Sequence, residues 1–305
     1  MYSKVAPGIW RMKMLFVNIY MVEDQTRNTW ALIDAGLKGF TSRILKMAAS
    51  LFGNRPPACI IMTHGHFDHR GCLESLLKVW DVPVYVHPLE MPYLTGISSY
   101  PPPDPFVGGG MMAFSSILYS RDPINIGPHA RKIQGNTIPE LPEWRIIETP
   151  GHTPGHISLF RESDGVLIVG DAFVTTKQES AYYALSQKKR LSGPPKYFTP
   201  DWEAAEASVR RLAALRPRTA ATGHGKPMYG NELQSKLSEL AANFRKKAVP
   251  KKGRYVHEPA EANESGVIYT PERPMRQTAF TAGLVIALIG AVAGAILIRK
   301  RMYTT

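Results

Sequence analysis

Hydrophobic and polar positions alternate through Ile9-Trp10-Arg11-Met12-Lys13-Met14 and again through Phe16-Val17-Asn18-Ile19-Tyr20-Met21-Val22, the two-residue period of hairpin strands. Trp30-Ala31-Leu32-Ile33-Asp34-Ala35-Gly36 continues the pattern as a third strand, set off by a polar turn over 24–28. The period then lengthens. Ile44, Leu45, Ala48 and Leu51 share one face of a helix over 41–52, and Leu73, Leu76, Leu77 and Trp80 predict a second. Between them, 58–62 is a continuous apolar run that reads as a buried strand, and 83–87 predicts another. Shorter apolar runs recur at 146–147, 166–169 and 220–221. Thr199-Pro200-Asp201-Trp202-Glu203 carries helix-start chemistry: a Thr N-cap, Pro in the first turn and acids near the dipole's positive end. That helix is expected to reach about residue 215, and a last one over 231–248 presents Leu233, Leu237, Leu240 and Phe244.

Two stretches break the pattern. Pro101-Pro102-Pro103-Asp104-Pro105 and Gly108-Gly109-Gly110 forbid regular structure within 88–143, although Met111, Met112, Phe114, Ile117 and Leu118 are apolar. Loops of this length are uncommon unless they form lids or binding loops. The expectation is a lid here and an opposite wall over 173–198 with Tyr182, Tyr183 and Tyr197. After residue 250 the character changes to a basic, Pro-rich linker over 251–278. Residues 279–298 carry no charge, and Arg299-Lys300-Arg301 follows. Twenty such residues in a helix span ~30 Å, a bilayer's hydrocarbon thickness. The organisation expected is a catalytic domain over 1–250, a linker over 251–278, a transmembrane helix over 279–298 and a short basic tail over 299–305.

Composition adjusts this picture in three ways. The chain's 305 residues suffice for one large core plus an appendage. Cys59 and Cys72, the two cysteines, are too few for a disulfide framework and are expected to stay reduced. A formal charge of +12 calls for a partner or a surface. Its cations cluster over 245–254, beside the expected span, which suggests an anionic membrane face rather than nucleic acid. Residues 1–15 carry Lys4, Arg11 and Lys13 without a long apolar region, so a single-pass C-terminal anchor with a cytoplasmic catalytic domain is expected. Gly283, Ala287, Gly290, Ala291 and Gly294 share a helical face that would permit a homodimer.

Candidate chemistry gathers at strand ends. The run 58–62 leads into Thr63-His64-Gly65-His66-Phe67-Asp68-His69-Arg70-Gly71, three histidines and an aspartate within six residues. Four polar side chains at the end of a buried strand cost free energy unless each has a partner. A divalent metal is an economical one, because neutral imidazole and carboxylate are both good ligands. Taken alone, the segment could be a histidine-rich surface loop. Three further candidates argue otherwise, each closing its own apolar run: His152 after Pro150-Gly151, Asp171 after Val169-Gly170, and His224 after Thr222-Gly223.

The ordered set H-x-H-x-D-H, then GH, GD and a final GH, resembles the metallo-β-lactamase superfamily over about residues 5–230. The resemblance implies an α+β fold, the four-layer αββα sandwich, ahead of the linker and the transmembrane helix. It implies that His64, His66 and His152 hold one metal, that Asp68, His69 and His224 hold a second, and that Asp171 bridges them. Two zinc ions are the expected cofactors, and iron or manganese would also suit these donors. Asp34 would support the site from behind, although an Asp at a strand end is also an ordinary turn former. His156 matches the ligand spacing loosely and, like His87, reads as structural.

The reaction implied is hydrolysis of a small molecule. A hydroxide shared by the two metals attacks the carbonyl of a thioester, lactone or related ester or amide, and Asp68 orients it and passes a proton. Within the superfamily the chain looks like the glyoxalase II and lactonase branch, with departures. Gly170-Asp171-Ala172-Phe173-Val174-Thr175 lacks the glutathione-binding G-x-F-Y stretch, and Val174 stands where lactonases commonly have Tyr. A phosphodiesterase or nuclease of the same fold, or a mononuclear-iron persulfide dioxygenase, are the alternatives. Neither an RNA-gripping arm nor an inserted nuclease domain is visible, which weighs against nucleic acid.

Overall fold

A computed structural model describes residues 2–272. The first sheet takes its strands in chain order: β1 (Tyr2–Ala6), β2 (Ile9–Met14), β3 (Val17–Asp24), β4 (Thr29–Ile33), β5 (Cys59–Ile61), β6 (Val84–Val86) and β7 (Ala130–Lys132). The meander β1–β4 is antiparallel, and from β4 onward each neighbour is parallel. The second sheet runs β12 (Met228–Tyr229), β11 (Thr219–Thr222), β10 (Val166–Gly170), β9 (Ile157–Arg161), β8 (Trp144–Glu148), with β10 and β11 parallel. A separate hairpin joins β13 (Glu261–Asn263) to β14 (Gly266–Tyr269).

Helices complete four layers. They are α1 (Thr41–Phe52), α2 (Phe67–Arg70), α3 (Leu73–Leu77), α4 (Met91–Leu94), α5 (Met111–Phe114), α6 (Ala181–Ser186), α7 (Trp202–Ala214), α8 (Gly230–Ala242) and α9 (Phe244–Lys247). The two-residue period explains the layering, since successive side chains of a strand leave opposite faces. In β4, Ala31 and Ile33 face the second sheet, where Ile146, Leu159 and Ile168 meet them. Trp30 and Leu32 face the other way, against Ile44, Met47 and Phe52 of α1. The second sheet repeats the arrangement with Leu167 and Val169 under Val209 of α7 and Leu237 of α8. Each such buried side chain contributes ~1.5–3 kcal/mol, so the three apolar layers fix the strand ends against one another.

Several expectations change on contact with the structure. The helix expected to start at Thr199 begins at Trp202 and is capped by Asp201, whose Oδ1 accepts from Ala204 N at 2.9 Å. The Thr199 hydroxyl is taken elsewhere, donating to Pro195 O at 2.8 Å. The final helix over 231–248 is two, α8 and α9, interrupted at Asn243, whose backbone leaves the helical region. The catalytic unit also runs past 250 into the expected linker. Tyr255 is buried and donates to Pro102 O, β13 and β14 pair, and the compact unit ends at Thr270.

The membrane-anchored placement is corrected. Among the described residues no helix is long and apolar enough to cross a membrane. The longest, α7 and α8, have 13 residues each and reach only about 20 Å, short of a ~30 Å hydrocarbon core. Residues 279–298, on which the anchor, its cytoplasmic orientation and the homodimer face rested, lie outside the described residues.

Candidate metal centre

Every candidate ligand lies just beyond the C-terminal end of a strand, so the sandwich gathers them at one edge. β5 ends into His64 and His66, and α2 begins at once with Phe67, carrying Asp68 and His69. His152 comes from the loop after β8, Asp171 follows β10, and His224 follows β11. All seven side chains are buried. Ring and carboxylate atoms converge in three groups compatible with a metal ion: His64, His66 and His152; His64, His69 and Asp171; Asp68, His69 and His224. Asp171 Oδ2 lies 2.9 Å from His224 Nε2, 3.5 Å from His152 Nε2 and 3.6 Å from His69 Nε2. Asp68 Oδ2 is 3.5 Å from His224 Nε2.

Hydrogen bonds behind the cluster aim these donors inward. His224 Nδ1 donates to Phe16 O at 2.8 Å, leaving Nε2 for the site. Asp34 Oδ2 holds His69 Nδ1 at 2.7 Å, and its Oδ1 accepts from Thr63 N at 2.8 Å. Asp34 sits at φ +61°, a left-handed conformation that Asp tolerates better than most residues. Partners of this kind fix ring orientation at metal sites. His156 accepts the Asp171 amide on Nε2 at 2.8 Å and meets Thr149 Oγ1 through Nδ1 at 2.8 Å, so it positions Asp171 from outside the cluster. His87 is also structural, receiving Leu89 N at 3.2 Å.

The fit to a metal rests on unpartnered atoms. His64 Nε2, His69 Nε2 and Asp171 Oδ1 are buried without a hydrogen-bond partner and belong to the converging groups. Leaving such atoms bare costs ~1–3 kcal/mol each, and a cation among them would remove that cost. Electrostatics divides the set. Burial and the neighbouring rings push His64 and His66 well below the ordinary imidazole range, and burial does the same to His152. Burial also opposes charge on His69 and His224, but Asp171, joined by Asp34 at His69, outweighs it and raises both. Asp171 is itself held well below the carboxylate range, because His224 and His69 overcome its burial. Burial lifts Asp68, with His69 and His224 restraining the rise, and lowers His156 to about 3.

Two glycines are dictated by closeness. A Cβ on Gly223 would come within 2.1 Å of Asp171 Oδ1, and one on Gly151, at φ +129°, within 2.3 Å of Ala205 N. One functional contact escaped the sequence reading entirely. Glu90, fully buried, accepts Gly65 N on Oε2 at 3.0 Å and Gly155 N on Oε1 at 2.9 Å, while the Tyr100 hydroxyl donates to Oε2. It clamps the two loops that carry His64, His66 and His152. A lone Glu in a weakly patterned stretch gave no signal of this.

The irregular stretches meet over the cluster only in part. Tyr119, Tyr197 and Phe198 pack together with Phe67, and Phe198 stacks on His66 with ring centres 4.6 Å apart. Of the other tyrosines expected in that wall, Tyr182 is exposed and Tyr183 lines a separate cavity.

Residues 12–224 match the family profile described as Metallo-beta-lactamase superfamily. The chain belongs to the metallo-beta-lactamase superfamily. It is a metallo-hydrolase of that superfamily. It is 44% identical over 241 residues to the Bacillus subtilis "Probable metallo-hydrolase YflN", covering 78% of this chain and 91% of that one. The B. subtilis "Uncharacterized protein YobT" is 33% identical over 214 residues, 69% of this chain and 83% of that one. A beta-lactamase domain protein from Burkholderia ambifaria shares the fold at TM-score 0.55 and 20% identity, covering 80% and 76% of the two chains. TTHA1623, solved in a di-iron-bound form, does so at TM-score 0.51 and 24% identity, covering 76% and 95%.

Proposed function

We propose that the chain is a binuclear metal-dependent hydrolase acting on the carbonyl of a thioester, lactone or related ester or amide. The observation that carries this reading is the convergence of seven buried side chains, with Asp171 among the rings of His69, His152 and His224. His64, His66 and His152 would hold one ion, Asp68, His69 and His224 the second, and Asp171 both. Imidazole and carboxylate donors favour zinc, and iron is the competing ion. When bound, such a pair supplies an activated water and a Lewis acid for the substrate's oxygen.

The chain's own groups do the rest. Asp68 orients the attacking water and carries its proton toward the leaving group, its Oδ2 held 3.5 Å from His224 Nε2 at the edge of the cluster. Asp34 and Phe16 O fix the rings of His69 and His224 from behind. Phe67, Tyr119 and Phe198 offer an aromatic wall to an acyl group. Metal analysis of the purified chain, paired with a panel of thioesters, lactones, a β-lactam and a phosphodiester, tests the proposal. Two ions per chain are expected, with carbonyl hydrolysis that Asp68→Asn abolishes. A single iron with oxygen consumed on adding a persulfide, or cleavage of the phosphodiester alone, would overturn it.

A further inference from the structure

On the outer face of the second sheet, the loop 188–192 looks across to α8 and α9 over a cavity of about 650 Å³. Five cations line it, Lys189, Arg190, Lys236, Lys246 and Lys247, against one carboxylate, Glu239. Lys236 and Lys247 are paired with Glu232 and Glu239 at 2.5 Å. Lys189, Arg190 and Lys246 have no carboxylate within ion-pair distance among the described residues. The loop holding two of these cations is pinned. Arg190 N donates to Thr175 O at 3.1 Å, and Val174 and Ser192 exchange backbone bonds of 3.1 and 2.9 Å. Gly193 presses on Ala248, where a Cβ would come within 2.4 Å. The backbone therefore holds an excess of cations, five against one carboxylate, around one concavity, and such a cleft concentrates a positive field on an anion.

We propose that this cleft binds a nucleoside polyphosphate. Its volume lies in the range of small-ligand sites, ~300–1,000 Å³. The Arg190 guanidinium suits bidentate contact with phosphate oxygens, and the lysines supply further charge. Leu191 and Leu240 form apolar surface in the same cavity, and Tyr183 adds an aromatic ring against which a planar base can lie. Lys188 Nζ sits 5.5 Å over one face of that ring and adds another cation there. None of these residues belongs to the metal centre, so the proposal is independent of the hydrolytic reading.

The test is calorimetric titration of ADP into the zinc-loaded full chain at two salt concentrations. Saturable binding at one site is expected, weakening as salt rises. Lys189→Glu/Lys246→Glu should weaken it at least tenfold, and Lys189→Gln/Lys246→Gln should shift it the same way by less. These side chains are exposed, so thermal unfolding should match the parent. An equal charge reversal on α1, Arg43→Glu/Lys46→Glu, should leave ADP binding unchanged, and inorganic pyrophosphate, lacking the base, should bind at least tenfold more weakly than ADP. No binding at millimolar ADP would overturn the proposal, as would equal weakening by the α1 pair. ADP binding that survives both cleft variants but is lost in His64→Ala would assign it to the metal centre instead. Pyrophosphate binding as tightly as ADP would remove the nucleoside. A single-stranded oligonucleotide binding over tenfold tighter than ADP would replace it with a polynucleotide.

Discussion

Replacing Glu90 by glutamine is expected to loosen the loops that bring His64, His66 and His152 together. The carboxylate receives three donors, the amides of Gly65 and Gly155 and the Tyr100 hydroxyl, and the two amides reach different oxygens. Glutamine keeps the volume but offers one oxygen, so an NH2 group must face one of the two amides, of which Gly65 N keeps a second acceptor in the Tyr100 hydroxyl at 2.8 Å and Gly155 N is the one left bare. Each bond to a charged acceptor is worth ~1.5–3 kcal/mol, and a buried amide left bare costs ~1–3 kcal/mol. Removing a buried charge works the other way, since burial pushes this carboxyl above its ordinary range. A net loss of ~2–4 kcal/mol follows from those opposing terms. At ~2–4 °C per kcal/mol for a domain of this size, Tm should fall by roughly 5–15 °C. Affinity for the first metal should fall ~10–100-fold, as when other groups behind metal ligands are lost. Differential scanning calorimetry with metal titration reads both, and Glu74→Gln on the exposed side of α3 should shift Tm only slightly. A Glu90→Gln chain with the parent's Tm and metal affinity would refute the clamp.

Stripping metal with a chelator should lower Tm, because ions that bind only the folded chain stabilise it by ~4 kcal/mol at a thousandfold excess over Kd; an unchanged melt would count against a bound cation. Asp34→Ala should weaken metal binding ~10–100-fold by releasing the His69 ring, measured by competition with a chromophoric chelator. Gly223→Ala should cost ~1–3 kcal/mol in urea unfolding through overpacking against Asp171, with a far larger loss of turnover. Gly53→Ala, where a Cβ meets nothing within 4 Å but φ is +65°, should lose stability with turnover intact.

The elements that were legible in the sequence are those where one pattern had one physical cause. Alternation in β2 and β3, and the helical face of α1, reflect burial on one side of an element, and their bounds came close. The gathering of the seven candidates was legible because each follows a strand whose apolar run announces it. What escaped was set by contacts distant in sequence. Thr199 looked like an N-cap, but its hydroxyl is spent on Pro195 O, leaving Asp201 to cap α7. Tyr255 read as linker because the residue that receives its hydroxyl, Pro102, lies 153 positions earlier. Glu90 is invisible for the same reason, since neither Gly65 nor Gly155 carries a side chain to pair with it.

The division of labour within the site follows from which sheet supplies each part. The first sheet delivers His64, His66, Asp68 and His69 from one strand end, so their mutual placement is local and survives small movements of the sandwich. The second sheet delivers His152, Asp171 and His224 from three strand ends, which hydrogen bonds tie together: Gly223 N to Gly170 O at 2.8 Å, and His156 to the Asp171 amide. Between the sheets the registration rests on the shared apolar layer and on hydrogen bonds at the strand ends, among them Asn18 N to Gly223 O at 2.7 Å, Ile157 N to Thr63 O at 3.0 Å, His224 to Phe16 O, and the two amides clamped by Glu90. A cation held by ligands from both sheets would act as another such tie, and its binding energy would count directly toward folding. Substitutions at these inter-sheet contacts that also weaken metal binding, Glu90→Gln among them, should therefore cost more stability in loaded protein than in metal-free protein. Substitutions in the outer helix layers, remote from the joint, should cost the same in both.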